Sequence, residues 1–296
     1  MTKYFKTLLL LAFLPLTLLF ANTQLDFSSL VDEFMDESNG LKKTINLSGK
    51  QRMLTQRMTK LVLQLDLNIQ QEVTKVKLNE SASLYDVTLK MFKEGDSDLG
   101  IKKPTNKAIL EKINLVETEW AIFYKAIKSI EADKLDEKSL NYIIKNNEKL
   151  LKLSNDLVKA YEASNTSTNY LEKARLSVVN IAGRQRMLTQ KMTKEKLLVL
   201  RGDKAYRGKL SQTIDLFDTT LAKLIKGDEN QDMPKPSNEK IIKQLKSVLK
   251  LWSELKPLYL KEKNTDTEWA SIIHQNPILL KKMNTMVLLA EKELEY

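Results

Sequence analysis

Cysteine is absent from the chain. That excludes disulfides, thiol catalysis, thiolate metal sites and covalent haem attachment. A single histidine, His274, leaves no material for a histidine metal cluster or a His-based catalytic array, and its setting, Ile-Ile-His-Gln-Asn-Pro, reads as an ordinary helix-boundary position. No catalytic residue, cofactor site or metal site is expected, and the chain does not read as an enzyme. Glycine and proline are scarce, at 8 and 6 of 296 residues, so long irregular segments and β-turn-rich architectures are disfavoured. Leu, Lys, Glu, Asn and Ile dominate instead, which points to an all-α protein.

Long apolar runs are nearly absent too. Thr7–Phe20, interrupted by Pro15 and preceded by Lys3 and Lys6, is short for a membrane span and reads as the core of a signal peptide over residues 1–21. An uncleaved anchor is the alternative. No later segment is long and apolar enough to cross a bilayer, so the mature chain is expected to be periplasmic and soluble. The net charge is +10, and +8 without the two leader lysines. The surplus is spread along amphipathic stretches rather than clustered, so it reads as a solvated basic surface, and no nucleic-acid partner is expected.

Against these absences stands a repetition. Ile45–Lys60 reads INLSGKQRMLTQRMTK, and Val179–Lys194 reads VNIAGRQRMLTQKMTK, 134 residues later. Further matches run along the chain. Tyr85-Asp86-Val87-Thr88-Leu89 pairs with Phe217-Asp218-Thr219-Thr220-Leu221, Pro104-Thr105-Asn106 with Pro236-Ser237-Asn238, Trp120 with Trp252, and Asn155 with Asn284. The chain is a tandem duplication, with units assigned to 22–165 and 166–296. Each unit reads as four amphipathic helices. In the first they span about Leu25–Lys77, Glu80–Glu94, Asn106–Ile130 and Lys138–Ala163. In the second they span about Tyr170–Leu200, Lys204–Lys226, Asn238–Lys261 and Thr267–Glu293, the last with Pro277 near its start. The fold class is therefore all-α: two tandem antiparallel four-helix bundles. Ser164–Asn169 is rich in turn formers; reversal there sets the bundles side by side as a pseudo-dimer within a monomer, and a straight helix would stack them. Reversal is preferred.

Taken as a helix, the motif places Ile45, Gly49, Arg52, Gln56, Thr59 and Leu63 on one stripe. Gly49 allows close approach of a partner helix, and Arg52 lies one turn further along. Gly183, Arg186 and Gln190 repeat the arrangement. Where the two seams meet, two guanidinium groups face each other. Their repulsion and desolvation are relieved by an anion between them. A planar, permanently charged fork of donors suits a planar anion such as nitrate or nitrite, with Asn46, Gln56, Asn180 and Gln190 completing the donor shell. The competing reading is that each arginine pairs with a carboxylate of its own bundle. Met53, Leu54, Met58, Met187, Leu188 and Met192 read as core. Trp120 and Trp252 read as core or groove residues. Lys50, Arg57, Arg184 and Lys191 read as solvated basic positions.

The strings NLSGKQRMLTQRM and NIAGRQRMLTQKM resemble the opening helix of the PilJ-type sensor domain, the input domain of type IV pili methyl-accepting chemotaxis transducers. That domain is similar to the nitrate/nitrite sensor domains of NarX-type kinases. The resemblance implies a helical-bundle sensor whose motif arginine contacts ligand where two copies meet, hence roles for Arg52 and Arg186, with Gly49 and Gly183 at the close approach. It also implies a membrane-bound sensor kinase, chemoreceptor or transporter as signalling partner, since no exit helix or output module follows. A ligand-free helical protein that docks on a chemoreceptor, sensor kinase or pilus component is the alternative function.

Overall fold

The computed structural model describes residues 41–132, 135–164, 169–231 and 233–293. The expected leader over residues 1–21, the unit boundary at residue 22 and most of the turn-forming linker lie outside them. The described residues form eight α-helices and one 3-10 turn: α1 Leu41–Asp66, α2 Gln71–Glu94, α3 Lys107–Glu131, α4 Glu137–Ala163, α5 Tyr170–Arg201, α6 Tyr206–Lys226, α7 Glu239–Leu260 and α8 Asp266–Glu293. The all-α helical-bundle expectation is met.

Local chemistry sets most of the boundaries. Asn106 and Asn238, at matching positions of the repeat, accept from the second and third amides of α3 and α7. Asp136 caps α4 through the Ser139 amide. Thr265 and Glu268 form a reciprocal capping box that starts α8, so α8 begins eleven residues ahead of Pro277 and runs through it. Gly95 and Gly227 end α2 and α6 at φ of 82° and 83°. In each case the chain then makes one antiparallel bridge, Asp96 with Ile101 and Asp228 with Met233.

One boundary differs from expectation. The first helix does not continue to Lys77; it stops at Asp66, and α2 starts at Gln71. Asn68 adopts φ 58°, with its amide bonded to the Leu65 carbonyl and the Ile69 amide to the Gln64 carbonyl. This is a Schellman ending with asparagine in the left-handed position. The second copy makes the same ending with Gly202 at φ 110°, its amide on the Val199 carbonyl and the Asp203 amide on that of Leu198.

Within each unit the helices alternate in direction. Trp120 Nε1 donates to Asp86, Lys93 bonds Glu117, and Lys128 reaches Asn79, so α2 and α3 run antiparallel. The second unit repeats the tryptophan contact with Trp252 and Asp218. Both tryptophans are buried, against Tyr85 and Phe217 respectively. The helix α1 packs on α2, α4 and α5, and α5 packs on α6, α8 and α1. Because each motif helix is surrounded on several sides, almost every side chain from Lys43 to Leu65 is buried, polar ones included. Leu63, Leu197 and Leu198 close the far end of the α1–α5 contact with Leu67 and Trp269 packed against them, each buried leucine contributing about 1.5–3 kcal/mol.

Candidate functional site

Hydrogen bonds between the motif helices fix their relation. Arg52 Nη2 donates to Asn180 Oδ1 at 2.7 Å, and Arg186 Nη2 donates to Asn46 Oδ1 at 2.8 Å. Lys60 Nζ reaches Gln190 Oε1 at 2.6 Å, and Arg201 pairs with Asp66 at 2.8 Å. The numbering gap between partners stays near the repeat offset of 134, so α1 and α5 lie parallel and nearly in register. Each arginine crosses to the asparagine of the other copy.

The glycines sit where the arginines converge. A Cβ added to Gly49 would stand 3.3 Å from Arg52 Nη2 and 3.6 Å from Arg186 Nη2. One on Gly183 would stand 3.2 Å from Arg186 Nη2 and 3.8 Å from Arg52 Nη2. Both guanidinium groups therefore come to the same small volume, which the missing side chains keep open. Arg52 is 2% exposed and Arg186 1%.

The surroundings of Arg52 are neutral at contact distance. Its Nη1 donates to Asn155 Oδ1 at 3.1 Å, its Nε has no hydrogen-bond partner, and no described carboxylate lies within 4 Å of it. Burial, then the Arg184 guanidinium, draws its pKa down to about 9; Glu162 opposes this, and Arg186 adds to it. Arg52 thus stays cationic at neutral pH, at an electrostatic cost that a bound anion would relieve. Glu162 on α4 is the acidic group whose charge acts on Arg52. Burial raises its pKa, while Arg52, Arg184 and a hydrogen bond with Asn180 work the other way.

The other expected site residues are distributed differently. Asn46 and Asn180 join the arginine cluster, with their carbonyl oxygens accepting from the arginines. Gln56 Nε2 bonds Thr55 Oγ1. Gln190 belongs to a second polar layer nearer the C-terminal ends of α1 and α5: its Oε1 accepts from Lys60, and its Nε2 donates to Asn276 Oδ1 and Thr189 Oγ1. Lys60 also donates to Asn276 Oδ1 at 3.0 Å. Lys194, its counterpart, donates to Asn147 Oδ1 at 2.8 Å and to Glu148 Oε1 at 2.5 Å. Asn147 and Asn276 are themselves counterparts, at the 129-residue spacing that pairs Asn155 with Asn284. This layer also crosses between copies.

Lys50 is not the solvated cation expected of it: it is 2% exposed, because α1 has no free face at that level. Lys43, Lys60, Lys194 and Lys196 are buried too, so part of the basic surplus lies inside. Arg57, Arg184 and Lys191 are half-buried. The six expected core positions of the motif, Met53, Leu54, Met58, Met187, Leu188 and Met192, are all buried.

Sequence reasoning missed Asn155, Asn147, Asn276 and the buried role of Lys60. The available signal was the repeat itself, since each of these polar residues recurs at its matching position. It also missed a cavity of about 230 Å³ on one flank of Arg52, walled by Leu151, Asn155 and Glu148 of α4 and by Arg184 and Met187 of α5.

The family model for the type IV pili methyl-accepting chemotaxis transducer N-terminal domain, PilJ, matches the chain twice, over residues 34–144 and 171–273. No curated protein and no solved structure matches it.

Proposed function

Because the chain belongs to the PilJ family of chemotaxis-transducer N-terminal domains, a sensory family, we propose that it is a periplasmic sensor binding one small planar anion, nitrate or nitrite, between its two motif helices. The observation that carries this reading is the convergence of Arg52 and Arg186 on Gly49 and Gly183. Two buried guanidinium groups sharing one volume repel each other, and a planar anion with oxygens in one plane satisfies both forks at once. Asn46 and Asn180 hold the arginines in place from the opposite copy, which supports a site in which ligand and helix pairing are coupled. The kinship with NarX-type nitrate sensors belongs to the same reading, as does the division into sensor units at 22–165 and 166–296. Among the described residues no helix is long and apolar enough to cross a membrane. Occupancy would be passed on by contact with a membrane-bound chemoreceptor, sensor kinase or transporter.

Calorimetric titration with sodium nitrate should give about one site per chain. The variant Arg52→Ala, Arg186→Ala should show no heat of binding; undiminished binding by this variant would sink the proposal. One observation favours the alternative of a ligand-free docking protein: Glu162 stands close enough to influence both Arg52 and Arg184. Glu162→Gln separates the two. As a sensor the chain should bind nitrate more tightly once this internal anion is neutralised. As a docking protein it should bind none in either form.

A further inference from the structure

The cavity on the flank of Arg52 is a partly open recess lined by charged and apolar side chains of α4 and α5. We propose that it binds a small organic dianion, a short dicarboxylate, beside the planar-anion position and separate from it.

Arg52 supplies a buried cation whose Nε has no partner, oriented by the bond from its Nη1 to Asn155. At about 230 Å³ the cavity has room for several water molecules, at roughly 30 Å³ each, and so for a ligand larger than a four-atom ion. Its walls carry both kinds of surface such a ligand needs: cationic Arg52, Arg184 and Lys152, and apolar Leu151 and Met187.

With Arg186 assigned to the planar-anion position, the remaining charges at this flank leave a surplus of two. Lys152 is paired with Asp156. Glu148 takes Lys194 and Lys191, and Glu195 stands 3.9 Å from Lys191, so those two lysines meet two carboxylates. Glu162 is left to balance Arg52, Arg184 and the nearby Lys159. One negative charge against three positive ones favours a ligand carrying two negative charges. The apolar pair favours a carbon stem between them over an inorganic ion.

The repeat shows that this flank has diverged. Arg184 corresponds to Lys50, which is folded into the interior, and Glu148 corresponds to Pro277, which offers no side-chain charge. The flank beside Arg186 therefore offers no half-buried arginine in the place of Arg184, and the proposal puts the dianion at Arg52.

Titration of the whole chain with succinate tests this, with sulfate and nitrate as companions. Succinate should bind at one site per chain. Arg184→Gln, at a half-buried position, should weaken it about tenfold or more through loss of a charge-assisted contact, while weakening nitrate by less, since Arg184 acts on the planar-anion position only through its charge. Arg186→Gln should leave succinate within about twofold. Absence of succinate binding up to about 10 mM, or indifference to Arg184→Gln, overturns the proposal. Sulfate binding as tightly as succinate with the same dependence on Arg184 also overturns it, because the carbon stem would then do nothing. Leu151→Phe, which fills the cavity, should abolish succinate binding; retention of full affinity in the folded variant counts equally against the site. If succinate binds and nitrate does not, the planar-anion reading fails and this one stands.

Discussion

Lys60 and Lys194 occupy the same place in the two copies and have been given different surroundings. Lys194 has a carboxylate, Glu148, whereas Lys60 has two amide oxygens, those of Gln190 and Asn276. Both oxygens accept from its Nζ. Burial pushes its pKa well below the usual lysine value, with Arg57 and Lys77 adding to the effect. A lysine whose pKa is lower in the folded chain than in the unfolded one makes the unfolded state bind more protons in the window between the two values. Stability must therefore rise as pH rises through that window, by up to about 1.4 kcal/mol per pH unit for one such group. Urea unfolding at pH 7 and pH 9.5 should show the rise, and Lys60→Met should reduce it, with Lys196, whose pKa burial lowers to about 8, supplying part of the remainder; an unchanged slope in that variant would mean that Lys60 keeps its ordinary pKa in the fold. Such a lysine was not legible in the sequence. Periodicity identifies one packing face, and the stripe from Ile45 to Leu63 is indeed buried, but α1 is packed on three helices and buries its remaining faces as well. The arginines were legible for the complementary reason: a glycine one turn before an arginine, in both copies, marks a close approach with a charge beside it.

Helix ends are where sequence and structure agree most closely at the scale of elements, because caps are local chemistry. Asn106, Asn238, Gly95, Gly202 and Gly227 all mark boundaries near where their residue types indicate. Asn68 was opaque: asparagine takes the left-handed position less often than glycine, and the apolar periodicity continues past it into α2. The two inter-helix glycines carry more than a preference. A Cβ on Gly95 would lie 2.8 Å from the Lys103 amide nitrogen, and one on Gly227 2.7 Å from that of Lys235, both backbone atoms that cannot step aside alone. Gly95→Ala and Gly227→Ala should each cost about 1–3 kcal/mol or more in urea unfolding, from positive φ and steric conflict together. Gly208, inside α6 with nothing within 4 Å of an added Cβ, should respond in the opposite sense. Gly208→Ala should raise stability by about 0.4–1 kcal/mol, and a loss there would show that the space around it is not open.

At the scale of the whole molecule, the helical content and the duplication were readable, because a repeated pattern of caps and apolar spacing constrains each unit twice. The polar layers between α1 and α5 were not, since cross-copy contacts leave no local trace. Those layers set an expectation for divided chains. Residues 22–165 alone would expose the face of α1 that carries Arg52, Lys60 and Leu63. This fragment should self-associate or aggregate, and should bind residues 166–296 when the two are mixed, as read by size-exclusion chromatography. A monomeric, fully folded first unit would show that its motif helix does not need the second.

The crossed bonds from Arg52 to Asn180 and from Arg186 to Asn46 carry a consequence for dilution. Where two separate chains must meet to bring such arginines together, the fraction assembled falls as the protein is diluted, and ligand response falls with it. Here both contributors belong to one polypeptide, so their encounter is first-order and their effective concentration is set by the linker rather than by expression level. The strength of the helix pairing can then be low without loss of the pair, which leaves the arginine layer free to respond to whatever enters it.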